Sequence, residues 1–149
     1  MKESREYLIE RLPSWGRLEE LKKNLEPKHT QEEIDIALTS ALAYSQIAVA
    51  KYLLSLGADI SYNNYNGVYY SVHNNEIEGL KFAIKQGVDV NINQGELLNT
   101  AVISAYNTKE STILIYLLES GADPQFLTKE TLEFFVTGQI EEILKAFKN

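Results

Sequence analysis

The chain has 149 residues, with 14 Lys and Arg against 21 Asp and Glu, so its formal net charge is −7. That balance argues against a nucleic-acid backbone or an anionic membrane as the main partner. The absence of cysteine removes disulfides, thiolate nucleophiles and Cys-ligated zinc.

At this length one domain is expected, and 44% hydrophobic content with 3 Pro and 8 Gly is that of a folded globular chain. The opening MKESREYLIERLP alternates charge with apolar residues and has no apolar run suited to a signal peptide. No stretch reaches the 18 or so apolar residues of a membrane span. A cysteine-free chain of this kind fits the cytoplasm.

In chain order, residues 3–12 predict a first helix and GRLEELKKNL at 16–25 a second, with Leu18, Leu21 and Leu25 on one face. A third helix is expected over 31–44. Thr30-Gln31-Glu32-Glu33 opens it as a capping box, the Thr hydroxyl on the Glu33 amide and the Glu33 carboxylate on the Thr30 amide. Ile47, Ala50, Leu53 and Leu54 then mark a fourth helix, ended by Gly57 in the left-handed capping conformation.

Ser61 to Gly67 reads as a turn in which Asn and Gly accept positive φ, and Asn66-Gly67 as the cap of a helix over 67–73. Ile77, Leu80, Ala83 and Ile84 follow, closed by Gly87. A second turn at Asn91 to Gly95 leads into a helix over 96–106. Ile113, Leu114, Leu117 and Leu118 form the next apolar face, closed by Gly121. Thr128 caps a helix over 128–136, and GQIEEILKAF at 138–147 matches the segment at 16–25 almost residue for residue.

This order is periodic. LLSLGADI, AIKQGVDV and LLESGADP place Gly57, Gly87 and Gly121 at intervals of 30 and 34. Taking Gly16, Ser45, Asn75, Lys109 and Gly138 as equivalent residues between paired helices gives intervals of 29, 30, 34 and 29. Five units result, roughly 1–28, 29–61, 62–94, 95–126 and 127–149. Helix pairs this short cannot bury an apolar face alone, so stacking must supply the core. Arg5, Glu6, Arg11, Lys22 and Lys23 at one end, and Glu133, Glu142, Lys145 and Lys148 at the other, are the expected polar outer faces.

VAKYLLSLGADI at 49–60, EIEGLKFAIKQGVDVN at 76–91 and ILIYLLESGADP at 113–124 resemble the second helix and following turn of the ankyrin-repeat family. The resemblance implies an all-α, ankyrin-like solenoid of stacked helix-turn-helix repeats with short finger loops. The Thr-Pro-Leu-His that opens the family's first helix is absent, with only Thr100 keeping its threonine. Repeats this divergent look viral, phage-borne or bacterial. The resemblance also implies binding through finger tips and the concave face. Carried over by position, that set is Glu32, Glu33, Asp35 and Tyr44, then Tyr62, Asn63, Tyr65, His73 and Asn74, then Glu96, Asn99, Asn107 and Thr108.

Enzyme chemistry finds little here. His29 and His73 are the sole imidazoles, and His73 with Glu76 falls short of the three or four ligands of a zinc site. Glu19-Glu20, Glu32-Glu33 and Glu141-Glu142 diverge by about 100° around their helices. No phosphate loop, nucleophile elbow or basic aromatic patch occurs.

Tyrosine is the outlier, with 9 residues, four of them Tyr62, Tyr65, Tyr69 and Tyr70. Tyr69 and Tyr70 read as helical core. Tyr62 and Tyr65 read as exposed beside Asn, either as partner contacts or as rings stiffening a loop. Residues 1–28 carry 7 basic and 6 acidic side chains, which leaves 7 and 15 for the remainder.

The expected function is therefore a non-enzymatic module that blocks or tethers one protein partner through an acidic, Tyr-rich face. An inhibitor, immunity or anti-defence protein is its narrower form. The partner would present a basic surface, with no cofactor, no metal and no direct nucleic-acid or membrane contact. Such a chain would be a monomer or weak oligomer in the cytoplasm, the host's if viral. A self-associating assembly module and a small enzyme with a site near His73 are the competing readings.

Overall fold

A computed structural model describes residues 3–148, among which ten α-helices and one 3₁₀ turn occur without a strand. They are α1 (Arg5–Ser14), α2 (Leu18–Leu25), α3 (Gln31–Ala43), α4 (Ile47–Ser55), α5 (Tyr62–His73), α6 (Ile77–Lys85), α7 (Ile92–Thr108), α8 (Thr112–Glu119), α9 (Lys129–Phe135) and α10 (Gly138–Ala146). α1 packs on α2, α3 on α4 and α7 on α8, as the repeat register requires. The chain divides into two compact units, Met1–Ala83 and Ile84–Asn149, the last two residues of α6 falling in the second.

The residue between paired helices is left-handed in all five units: Gly16 (φ 70°), Ser45 (57°), Asn75 (59°), Lys109 (66°) and Gly138 (51°). At three of these the amide of the left-handed residue and the next one reach back to the helix just ended. Arg17 donates to Leu12 and Gly16 to Pro13; Gln46 donates to Ala41 and Ser45 to Leu42; Glu76 donates to Ser71 and Asn75 to Val72. This pair of bonds satisfies carbonyls that the helix end would otherwise orphan. Gly57, Gly87 and Gly121 (φ 97°, 99° and 99°) end α4, α6 and α8. Ala58 donating to Leu53 and Gly57 to Leu54, with Ala122 to Leu117 and Gly121 to Leu118, repeat the same motif.

The aspartate after each of these glycines has a local task. Asp59, Asp89 and Asp123 accept from the amides of Ser61 (2.9 Å), Asn91 (2.8 Å) and Gln125 (2.9 Å). Each carboxylate closes a turn two residues long, which explains why the repeat spells Gly-Ala/Val-Asp. The turns then differ from the expectation. Asn63, Asn64 and Tyr65, and again Asn93, Gln94 and Gly95, are left-handed in succession within the first turns of α5 and α7, so the regular helix starts only after them. Gly67 is not part of that turn. A Cβ there would lie 2.9 Å from the Thr39 Cα, so the glycine allows α5 to approach α3.

In the first unit α3 packs against α1, α4 and α5. Ile34, Leu38 and Leu42 of α3 meet a sealed layer that includes Leu21, Leu25, Leu53, Val68, Val72 and Leu80. Each such side chain contributes about 1.5–3 kcal/mol by leaving water. Leu53 is fully buried while its neighbour Leu54 is half-buried. In the second unit Leu97, Leu98, Val102, Leu114 and Leu117 play the same part, and α9 packs on α7. Thr30 caps α3 with the full capping box, and Thr128 caps α9.

Candidate interaction surface

Large aromatic side chains are exposed on the first helix of every unit, or on its cap: Tyr7 and Trp15, Tyr44, Tyr70, Tyr106, and Phe134. On the even helices Tyr52, Phe82 and Tyr116 are at least partly buried, while Phe147, the cap of α10, is exposed. In the first unit these rings stand at related places, because Trp15 and Tyr44 each cap their helix just before the left-handed residue. Tyr70 and His73 lie on the last turn of α5. His73 stacks on Tyr69 at 5.7 Å and meets Tyr70 edge-on at 6.0 Å.

Asn74 donates to the Ala43 carbonyl (3.1 Å). This bond ties the end of α5 to the end of α3 and fixes His73 beside Tyr44's helix end. Arg11 covers the Tyr7 ring and Lys109 the Tyr106 ring, at 5.6 and 4.7 Å. Tyr44 is 49% exposed and Tyr70 39%, the latter also meeting Tyr69 edge-on at 5.1 Å.

A groove of about 310 Å³ lies between α1 and α3, lined by Glu6, Glu10, Glu32 and Glu33 over Ile9 and Ile36. Glu6, Glu10 and Glu32 are exposed. Glu33 is committed elsewhere: the Arg5 guanidinium donates to both its oxygens (2.5 and 3.2 Å) and to the Asn24 and Lys28 carbonyls (3.0 and 2.7 Å). The hydrogen bond from Arg5, helped by the Thr30 amide and the Arg5 charge against the cost of burial, holds the Glu33 carboxyl down to about 2. Arg5 is thus a strut between the first two hairpins, whereas the sequence placed it on a free outer face.

Several residues expected at the surface are structural. Asp35 is buried, and its Oδ1 accepts from the Asp59 amide (2.7 Å) and the Gln31 side chain (2.9 Å). Gln31 in turn donates to the Gly57 carbonyl (2.9 Å). In the second unit one residue does both tasks: Asn91 accepts from the Asp123 amide (2.9 Å) and donates to the Gly121 carbonyl (3.3 Å). Asn99 likewise bonds Gly95, Phe126 and the Thr128 amide.

Tyr62 and Tyr65 are half-buried, because the left-handed turn folds their segment back on itself. Tyr70, expected in the core, is exposed. Asn63, His73, Asn107 and Thr108 are exposed, and Glu96 is half-buried, accepting from Asn93 (3.3 Å). Sequence reading named Glu6 as part of a polar outer face and Tyr70 as core, and passed over Glu10 and Trp15. The i, i+4 spacing of Glu6 and Glu10 was the available clue.

Among the described residues no three His, Asp or Glu side chains converge on a metal-sized site, and no helix is long and apolar enough to cross a membrane.

The paired helices, left-handed joints and Gly-x-Asp turns define a helical-hairpin repeat protein. No family model matches the chain. It is 35% identical over 106 residues to the human transient receptor potential cation channel subfamily A member 1. The alignment covers 68% of this chain but 9% of the channel subunit, which carries ankyrin repeats. With that alignment and its all-helical repeats, the chain belongs to the ankyrin-repeat family. Members of this family generally mediate protein–protein interaction and are generally non-enzymatic.

Proposed function

We propose that the chain is a non-enzymatic binding module that holds one protein partner against the first helices of its central hairpins and acts by blocking or tethering it. Exposed rings at the ends of α3 and α5, together with exposed carboxylates at the start of α3, carry this reading. With Glu33 paired to Arg5, Asp35 buried and Asp59 closing its turn, residues 29–80 keep Glu32 and Glu78 exposed and Glu76 half-buried, against Lys51 of α4 alone among Lys and Arg. Tyr44, Tyr70 and His73 supply rings, and the α1–α3 groove supplies Glu6, Glu10 and Glu32.

The complementary partner presents a basic segment with aliphatic or aromatic side chains. Arg and Lys stems lie along rings while their charges meet carboxylates. Covering a basic active site in the cytoplasm, as an immunity or anti-defence protein would, is the simplest way for such a surface to inhibit.

Affinity capture with identification of bound proteins tests this directly. The comparison is wild type against a triple variant, Tyr44→Ala, Tyr70→Ala and Glu32→Lys, all at exposed positions. The expected result is a partner with a basic face whose capture falls more than tenfold in the variant while melting is unchanged. A partner retained equally by both proteins contradicts the proposed surface.

A further inference from the structure

A second surface, at the C-terminal hairpin, is apolar where the sequence had called for a polar cap. Leu132 is 46% exposed, Phe134 63% and Phe147 36%. Leu127, Leu132, Val136, Leu144 and Phe147 line a groove of about 670 Å³, and Glu141, Lys145 and Lys148 of α10 and its end form part of its rim. We infer that this groove is the contact of a weak two-fold homodimer, in which α10 of one copy lies antiparallel along α10 of the other.

The occupant follows from charge. Residues 29–126 carry 4 basic and 11 acidic side chains, so most of the molecule repels a second copy. Residues 127–149 carry 3 and 4 and are nearly neutral. Within that segment the charges are ordered, with Glu141 and Glu142 early in α10 and Lys145 and Lys148 late. Inside one chain they pair only loosely, Lys145 with Glu141 at 3.5 Å and Glu142 at 3.7 Å, on side chains more than half exposed.

An antiparallel partner places Lys145 and Lys148 against Glu141 and Glu142 at both ends of the contact, which is the self-complementarity a two-fold interface demands. The same apposition brings Leu132, Phe147 and their symmetry mates together over the groove. Two helices side by side are about 20 Å across and the 9 residues of α10 run about 14 Å, so the face is roughly 300 Å². That is less than the ~800 Å² per partner of a standard interface, so the dimer forms only at high concentration. The contact is independent of the partner surface proposed above, since it uses none of the same residues.

Sedimentation equilibrium of the full chain from 5 to 500 µM tests the idea through charge reversal. Wild type should gain mass toward a dimer across that range. Glu141→Lys/Glu142→Lys makes α10 wholly basic and Lys145→Glu/Lys148→Glu makes it wholly acidic. Each alone should weaken association at least tenfold, and an equimolar mixture of the two should restore it as a heterodimer. Leu132→Glu should abolish association in either background while leaving the helical circular dichroism intact. A wild type that stays monomeric at 500 µM overturns the inference. So does association that the mixture fails to restore, because that pattern belongs to a head-to-tail contact with another surface.

Discussion

Two carboxylates two residues apart on α3, Glu33 and Asp35, illustrate how differently this molecule uses acidic residues. Glu33 is ionised through its hydrogen bonds to Arg5, and its carboxyl lies at about 2, below its ordinary value near 4.5. A depressed folded-state value means the stabilisation is fully present above the ordinary value and is lost as pH falls from about 5 toward 2. Because Arg5 is 42% exposed at its side chain, solvent screening keeps the effect to about 1 kcal/mol. Glu33→Gln should therefore unfold more easily than wild type at pH 7 and match it near pH 2, as urea titrations at several pH values would show.

Asp35 acts instead as an acceptor inside the fold. Asp35→Ala leaves the Asp59 amide and the Gln31 side chain without their partner, at a cost of about 1–3 kcal/mol. Asp35→Asn retains the acceptor oxygen and should cost less than half as much, as Asn91 does the equivalent work in the second unit. Equal losses in thermal melts would mean that charge, not the hydrogen bond, is what matters there.

At the scale of the element, glycines separate into two kinds that demand opposite substitutions. At Gly57 and Gly121 a Cβ meets no atom within 4 Å, and only the left-handed backbone (φ 97° and 99°) selects glycine. Gly57→Val should cost about 2 kcal/mol, and Gly57→Asn less than about 1, since Asn enters the left-handed region more readily than a β-branched residue, as Asn75 does at φ 59°. Gly79 is helical, so alanine there would ordinarily stabilise by about 0.5–1 kcal/mol. Its Cβ would, however, lie 2.3 Å from the Leu42 carbonyl oxygen. Gly79→Ala should instead destabilise by more than about 2 kcal/mol in the same melts, through a forced separation of α6 from α3.

What the sequence made legible follows the same division. Gly16, Ser45, Asn75, Lys109 and Gly138 could be aligned by spacing because a helix joint is a local event, and all five are left-handed. The Thr30 capping box and the Gly-x-Asp turns are local too. Asp35, Asn74 and Asn99 were misread as surface because their partners lie 24 to 31 residues away. Those bonds depend on how one hairpin seats against the next, which no spacing within a hairpin encodes. Tyr62, Tyr65 and Tyr70 exchanged places for a related reason: three successive left-handed residues, Asn63 to Tyr65, redirect the chain within the first turn of α5.

For the whole molecule, charge is graded along the sequence, +1 over residues 1–28, −7 over 29–126 and −1 over 127–149. A field of this kind accelerates encounter with a basic partner but does not hold the complex once formed; desolvated rings and short contacts do that. The two contributions can be told apart by salt, because the screening length falls from about 30 Å at 0.01 M to roughly 8 Å at 0.15 M. With the partner identified by capture, raising NaCl from 20 to 300 mM should lower the association rate about tenfold and change the dissociation rate less than about twofold. Tyr44→Ala/Tyr70→Ala should do the reverse, speeding dissociation with little effect on association. Stopped-flow mixing followed by competition measures both rates. If salt and ring removal both act on dissociation alone, long-range steering has no part in recognition, and the carboxylates of the central hairpins serve as direct contacts.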